Sequence, residues 1–279
     1  MGQRDRNRAQ AMAILKSDAL VLRRTEFSDT SQVVAFLTPE HGRLSCLARG
    51  SRAVWLTPHR SRRIDSPFDT LTLNRICWYP KRGDALHLVS ECEVIHSFAE
   101  VRRDLAHWHA AVAIQELTLA ASQPDHPEQP LYYAAARGLV ELCSEADWRL
   151  VIVDFLARYL AAIGRAPDTS GCAVSGRRLG EFDEVVFSVR GGRGYGAPHA
   201  PPLMPGGRVV MPGVAVEVLR RLLGGVRKPL TQVSLPDVIL QPLAALLQGM
   251  VVEVLDRSPI SFRYLPLGAA LRPEPVDVR

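Results

Sequence analysis

Apolar and polar residues alternate through the first hundred positions of this chain and then give way to helical spacing. Residues 19–24 (ALVLRR), 32–37 (QVVAFL) and 43–48 (RLSCLA) predict three strands, with turns marked by Ser28-Asp29 and by residues 39–42. Residues 69–76 (DTLTLNRI) predict a fourth, in which Leu71 and Leu73 share one face by period-two alternation. Residues 85–94 predict a fifth, with Leu86 and Leu88 on either side of His87. A long Arg-rich connection, residues 52–66, separates the third strand from the fourth. Five short strands with one long connection predict a small closed barrel of the OB-fold type; an SH3-like barrel fits the strand count almost as well.

The second half of the pattern is helical. Residues 100–122 have helical spacing, with Leu105, Trp108, Val112 and Leu119 on one side. A breaker (QPDHPEQP) follows, then a helix over residues 131–143 built on Ala134, Ala135, Leu139 and Leu142. Residues 148–163 carry the clearest stripe, in which Trp148, Val151, Ile152, Phe155, Leu156, Tyr159, Leu160 and Ile163 recur at core spacing before a capping Gly164. A Gly- and Pro-rich stretch, residues 166–207, interrupts the helices. Two more follow at 213–223 and 237–255, the second carrying Leu240, Leu243, Leu247, Met250 and Val254. Residues 259–279 predict an extended tail, disordered past about Leu271. The expectation is an α+β multidomain protein.

Composition narrows the class. The 279 residues are 47% hydrophobic and 23% charged, which excludes a wholly disordered or collagen-like chain. The longest uncharged apolar stretch, residues 238–252, contains two Gln and a Pro and falls short of the roughly 20 apolar residues of a membrane span. The basic N-terminus precedes no apolar segment of secretory type, so the expectation is a soluble cytoplasmic protein without a membrane partner.

Charge is unevenly distributed. Residues 1–63 hold twelve Lys/Arg against five acids, whereas the remainder holds 22 basic and 24 acidic residues. From Gly42 to Arg63 there are six arginines and no acid. A field of one sign attracts a polyanion, and the planar fork of arginine suits phosphate. A solubilising face in an arginine-rich protein is the plainer reading, since only Lys16, Lys81 and Lys228 are lysines.

The five cysteines, at 46, 77, 92, 143 and 172, are odd in number and scattered, which reads as free thiols rather than a disulfide framework. His107 and His109 lie two apart on a predicted helix, about 200° apart around its axis, so they do not share a metal. Residues 192–197 (GRGYGA) fit G-x-G-x-x-A, but Pro198, Pro201 and Pro202 follow and leave no helix to receive a pyrophosphate. The overlapping RGGRGY reads as a turn-rich hairpin, or less readily as an RGG-type segment. Walker A, G-x-S-x-G and HExxH patterns are absent from the sequence, and no catalytic site is expected. A metal-dependent nuclease would need clustered carboxylates, and none has convincing spacing.

Several short stretches stand out in order: Ala19-Leu-Val-Leu22 with Glu26 and Asp29, Leu37-Thr-Pro-Glu-His-Gly42, and Ala48-Arg-Gly-Ser-Arg52. Phe155-Leu156, Tyr159-Leu160, Gly164, Ala166-Pro167-Asp168, Cys172-Ala-Val-Ser-Gly176 and Ser261-Phe-Arg-Tyr-Leu265 complete the set, which spans about residues 17–265. In this order and spacing the chain resembles the RecO family of bacterial recombination mediators. The resemblance implies a basic arm and OB-fold DNA-binding barrel over 1–97, helical parts over 98–166 and 208–279, and an insertion over 167–207. Many members carry a zinc-ribbon-like motif in that insertion. Here Cys172 fills the first ligand place, but Ser175, Tyr195 and Pro198 fill the others, with His199 nearby, so the insertion is a degenerate zinc ribbon and no metal or cofactor is expected.

The resemblance also implies function. RecO-like proteins bind single- and double-stranded DNA, anneal complementary strands, and work with RecR and the C-terminal tail of the single-strand-binding protein to place RecA on DNA. That implies a cytoplasmic, nucleoid-associated repair protein. The candidate DNA contacts are Arg23, Arg24, Arg43, Arg49, Arg52, Arg60, Arg62 and Arg63. Arg23 and Arg24 are adjacent on a strand and cannot both face the same side. Trp55 suits either base stacking or a plug under the barrel. Arg137, Arg149 and Arg158 are open candidates for an acidic-tail pocket. The rival from another class is a protein-interaction scaffold that does not touch DNA.

Overall fold

A computed structural model describes residues 14–51, 68–81, 83, 85–225, 229–265 and 267. Arg52, Arg60, Arg62, Arg63, Trp55, the whole predicted connection between the third and fourth strands, and the tail past Leu271 lie outside the described residues. The chain forms two compact units. One gathers the described residues up to Ala99 with Gln115–Ala136; the other gathers Glu100–Ile114 with the described residues from Arg137 onward.

The first unit is built on a closed five-stranded barrel. Its strands are β1 (Leu15–Glu26), β2 (Gln32–Thr38), β3 (Gly42–Ala48), β4 (Leu73–Tyr79) and β5 (His87–His96). Their order is β1-β2-β3-β5-β4. All pairs are antiparallel except β3 with β5, where Cys46 faces His87 and Leu47 faces Leu88. The parallel pair and the return of β4 to β1 give the OB-type order, in preference to an SH3-like one. Alternation places Ala19, Val21, Val34, Phe36, Leu44, Cys46, Ala48, Ile76 and Trp78 inside, with Phe68 added to them.

The fourth strand departs from expectation at its start. It begins at Leu73, because Leu71 adopts a left-handed φ of 62° and cannot continue a pleat. The Leu71 N–H donates to the Val21 carbonyl at 3.2 Å and the Val21 N–H to the Thr72 carbonyl at 3.0 Å. Those bonds hold Leu71 buried in its unusual conformation.

Two helices contribute to both units: α1 (Leu105–Ala121) and α2 (Gln129–Leu142). In α1 the buried face is Ala110, Ala111, Ala113, Ile114, Leu117 and Thr118, whereas Leu105 is 69% exposed. The predicted stripe of Leu105, Trp108, Val112 and Leu119 therefore lies on the opposite side of the helix from its core face. The helix is apolar nearly all round, so large side chains did not mark the inside; small ones, which allow close approach, did.

Within the first unit, the link between α1 and α2 is stitched to β3. The Arg43 N–H donates to the Gln123 carbonyl (3.1 Å) and the Asp125 N–H to the Arg43 carbonyl (3.2 Å). Gly42 turns β2 into β3 at φ 66°, and a Cβ there would stand 2.1 Å from the His126 carbonyl oxygen. Thr38 completes the turn, its hydroxyl donating to the Gly42 carbonyl and accepting the His41 N–H, both at 3.1 Å.

The second unit centres on α3 (Trp148–Ala162), α4 (Gly213–Leu223) and α5 (Asp237–Leu255). Asp147 caps α3 by accepting the Arg149 N–H at 2.9 Å. Helix α3 is buried all round, from Leu150 to Ala157 without a break. Its buried carboxylate, Asp154, accepts from Arg137 Nε (3.3 Å) and Arg158 Nε (2.9 Å). Helix α5 packs on α3, α4 and the strand Arg208–Pro212. By length and composition α5 is apolar enough to cross a membrane, but eight of its residues, including Leu243, Leu247 and Met250, are buried in this unit.

The Gly/Pro-rich stretch supplies β6 (Glu184–Ser188) and β7 (Gly194–Gly196), which join β8 (Arg208–Pro212) in a sheet of order β7-β6-β8. The G-x-G-x-x-A match is thus a hairpin with strand β7 inside it, not a nucleotide loop.

Cys172 sits beneath that hairpin. Its backbone closes a loop, accepting the Gly176 N–H and donating to the Arg177 carbonyl, both at 2.8 Å. Its buried sulfur accepts the Gly196 N–H at 3.4 Å and lies 3.5 Å from His199 Nδ1. His199 meets Phe182 edge-on at 5.7 Å, and Arg177 lies over the Phe182 ring. Tyr195 and Pro198 bring no ligand atom of the kind structural zinc takes, so this donor set does not fit that metal. Burial pushes the Cys172 thiol up, but hydrogen bonds from the Ser175 side chain and from the N–H groups of Ser175, Gly196 and Val174 outweigh it and bring it to about 6 from 9.0. Burial instead raises Cys46 and Cys92 to about 12 and Cys143 to about 11.

Two outcomes follow. Gly42→Ala combines a left-handed backbone with a collision against main chain and should destabilise the protein by about 3 kcal/mol in urea unfolding. For Cys172 the folded-state pKa lies below the unfolded one, so its stabilisation is complete above the ordinary thiol range and is lost as pH falls through about 6. The difference in melting temperature between wild type and Cys172→Ala should therefore shrink from pH 9 to pH 5.5, and thiolate absorbance at 240 nm should show a midpoint near pH 6 in wild type alone.

Candidate nucleic-acid interface

The outer face of β1, β2 and β3 collects two of the candidate arginines, and a third follows just past β3. Strand β1 is irregular between Val21 and Arg23: Val21 pairs with Phe36, and Arg23 with Ala35. Strict alternation would have put Arg23 on the inward side with Ala19 and Val21. The extra residue, Leu22, reverses the parity, so Arg23 shares a face with Ala35 and its neighbour Ser45 on β3. Arg43, Ser45 and Leu47 alternate with the buried Leu44, Cys46 and Ala48 and project on that same face, which is covered on β2 at Ala35 and Leu37; Arg49 follows in the turn just past β3. With strands about 4.8 Å apart and a rise of about 3.4 Å, Arg23 stands about 10 Å from Ser45, with Arg43 about 7 Å away along β3.

The arginines differ in availability. Arg23 and Arg49 are exposed, and neither has a carboxylate partner among the described residues. Arg24 pairs opposite Val34, on the other face from Arg23, where its guanidinium bonds Asp69. Arg43 is half-buried; its Nε is buried without a partner among the described residues, and its backbone is tied to Gln123 and Asp125.

Supporting groups came from parts of the chain that sequence reasoning did not connect to the barrel. The Gln115 side-chain amide donates to the Leu22 carbonyl, which the bulge removes from regular pairing. His87 Nδ1 accepts the Lys81 N–H at 3.0 Å, and its Nε2 lies 3.4 Å from Asp125 Oδ1, which anchors the β4–β5 loop. Phe27, in the β1–β2 loop, was also missed. It is 62% exposed, and its N–H donates to the Ser31 carbonyl at 3.1 Å. An aromatic beside the turn signal Ser28-Asp29 has no core face to occupy, and that was its available signal.

Other candidates resolve into local contacts. His107 Nδ1 meets Asp104 at 3.1 Å while His109 lies against Tyr264, so the pair does not converge. Arg137 and Arg158 share Asp154, and Arg149 bonds Asp147 and Asp237. Arg190 of the RGG stretch meets Glu253 at 3.3 Å. Among the described residues, no group of three or more His, Cys, Asp or Glu side chains is arranged to hold a metal. A pocket of about 240 Å³ beside Lys16, Asp18, Glu40, His41, Tyr132 and Tyr133 is lined by charges of both signs and offers no single-sign track.

Comparison with known proteins follows the same division of the chain. A family model for the recombination protein O N terminus matches residues 12–98, and one for the recombination protein O C terminus matches residues 102–261. Over 255 residues the chain is 24% identical to the DNA repair protein RecO of Prosthecochloris aestuarii, covering 88% of this chain and 94% of that protein. It is 31% identical over 163 residues to the protein of that name from Rhodopirellula baltica, covering 57% of each. It is 30% identical over 179 residues to that from Moorella thermoacetica, covering 64% of each. These last two matches span less than two thirds of the relatives' own length. With both family models matching in sequence order across the barrel and the helical region, the chain belongs to the RecO family of DNA repair proteins.

Proposed function

We propose that this chain binds the DNA backbone along the outer face of β1–β2–β3 and anneals complementary single strands by cancelling their mutual repulsion. The observation that carries the reading is that Arg23, turned outward by the bulge at Leu22, shares a face with Arg43, with Arg49 just past the end of β3. Arg52, Arg60, Arg62 and Arg63 continue the same acid-free run and belong to the same proposal. Guanidinium groups held on a rigid strand face meet phosphates as fixed forks. Contacts of this kind position a strand without reading its sequence, so base edges remain free to pair.

The wider role comes from the family resemblance. In it the chain acts as a recombination mediator in the nucleoid, on single- and double-stranded DNA, with RecR and the C-terminal tail of the single-strand-binding protein as partners. RecA is served indirectly, by delivery to strands that were coated. The ion-paired Arg137, Arg149 and Arg158 do not select a pocket for that tail.

A salt series tests the central reading. If about six arginines neutralise phosphates, log K for single strands should fall with log salt at a slope of about −4. The double variant Arg23→Ala/Arg49→Ala should flatten that slope by about 1.4, with equal loss on unrelated base sequences, and should slow annealing in step. A scaffold that binds only proteins would anneal no DNA, and the double variant would change nothing. Asp69→Asn releases the Arg24 guanidinium and should steepen the slope by up to about 0.7.

A further inference from the structure

We infer that Phe27 is a base-stacking contact that makes this end of the barrel selective for single strands, an inference that rests on the DNA-binding reading above. The pairing row Glu26–Gln32–Ala48 runs across β1, β2 and β3. Phe27 and Arg49 each follow the last residue of that row on their own strands. They therefore emerge at the same end of the barrel, about 10 Å apart across two strand spacings. One nucleotide, phosphate toward Arg49 and base toward Phe27, spans that separation.

Two observations favour a base over a phosphate at Phe27, and a third bears on how a strand approaches Arg49. The ring is 62% exposed on a loop whose shape is pinned by local bonds: the N–H groups of Phe27 and Ser28 both donate to the Ser31 carbonyl at 3.1 Å, and Ser31 N–H donates to the Ser28 hydroxyl at 3.2 Å. The ring is thus presented at little further ordering cost. The loop also carries the exposed carboxylates of Glu26 and Asp29, which repel a phosphate but not a π-face. Gly50, next to Arg49, has φ 66° and, among the described residues, open space where a Cβ would stand, which favours close approach of a strand to the main chain.

Selectivity follows from access. A base in a duplex is stacked on both faces, and exposing one costs a few kcal/mol, whereas an unpaired strand offers its faces freely. A base stacked on Phe27 keeps its pairing edge outward, so the contact is compatible with annealing.

The experiment is fluorescence anisotropy of the full chain with a labelled oligo-dT strand and a labelled duplex of equal length, each over a salt series. Phe27→Ala should weaken single-strand binding by about 5- to 100-fold, change duplex binding by less than about twofold, and leave the salt slope unaltered. Phe27→Trp should restore single-strand affinity. Arg49→Ala should flatten the slope by about 0.7 on single strands and also weaken duplex binding. The inference is overturned if Phe27→Ala binds single strands as wild type does, or if it weakens both substrates equally. If Arg49→Ala behaves as expected while Phe27→Ala is silent, only the stacking role falls. If wild type shows no salt-dependent binding, the DNA-binding reading falls and takes the stacking role with it. An unchanged thermal midpoint for Phe27→Ala ties any loss to the exposed ring rather than to folding.

Discussion

One extra residue in β1 decides which way the early arginines point. Val21 is inside the barrel and Arg23 outside it, although both have the same parity in the sequence, because Leu22 is interposed as a bulge. Undo the bulge and Arg23 would stand opposite Val34, the exposed place beside Asp69 that Arg24 now holds, and Arg24 would take the outer face. The bulge is itself held: Gln115 satisfies the Leu22 carbonyl, and Val21 exchanges two backbone bonds with the segment that carries Leu71 and Thr72. The charge track and the barrel's closure therefore rest on the same few main-chain groups.

That arrangement sorts the basic residues by role. Arg23 stays exposed on the outer face, and Arg49 stays exposed just past the end of β3. Arg24, on the opposite face, meets the carboxylate of Asp69 near the start of β4. Arg43 is split, its main chain joined to the α1–α2 link and its side chain half-buried beside the covered Leu37. Exposed ion pairs contribute little to stability, so Arg24 remains exchangeable with a phosphate at modest cost, whereas Arg43 is positioned as much by its backbone as by its charge.

Much of the fold was legible because short-range rules governed it. Helices α4 and α5 begin and end where sequence spacing put them, and all five barrel strands appear in order. What escaped was set by contacts distant in sequence or by exceptions to periodicity. The alternation of its neighbours predicts strand at Leu71, yet bonds to Val21 hold its backbone left-handed. The face of α1 was inverted because bulky residues look like core, while here alanines made the close approach. The opposition of Arg23 and Arg24 was legible from adjacency alone. Which of them would meet Asp69 was not, since a bulge carries no residue signature of its own. Phe27 escaped because turns are read for their polar residues, and a lone ring among them draws no attention until its exposure is known.

The seam between β3 and the α1–α2 link bears on how such a protein evolves. Residues 15–96 look like a portable cassette, continuous in the gene and closed in space. Yet the amide and carbonyl of Arg43 belong to Gln123 and Asp125, and the missing side chain of Gly42 is the space that His126 occupies. Exchange of the strands alone between homologous genes would pair a turn with the wrong cover. Inheritance should therefore keep the two stretches together, with substitutions near Gly42 answered by substitutions near His126 rather than tolerated singly.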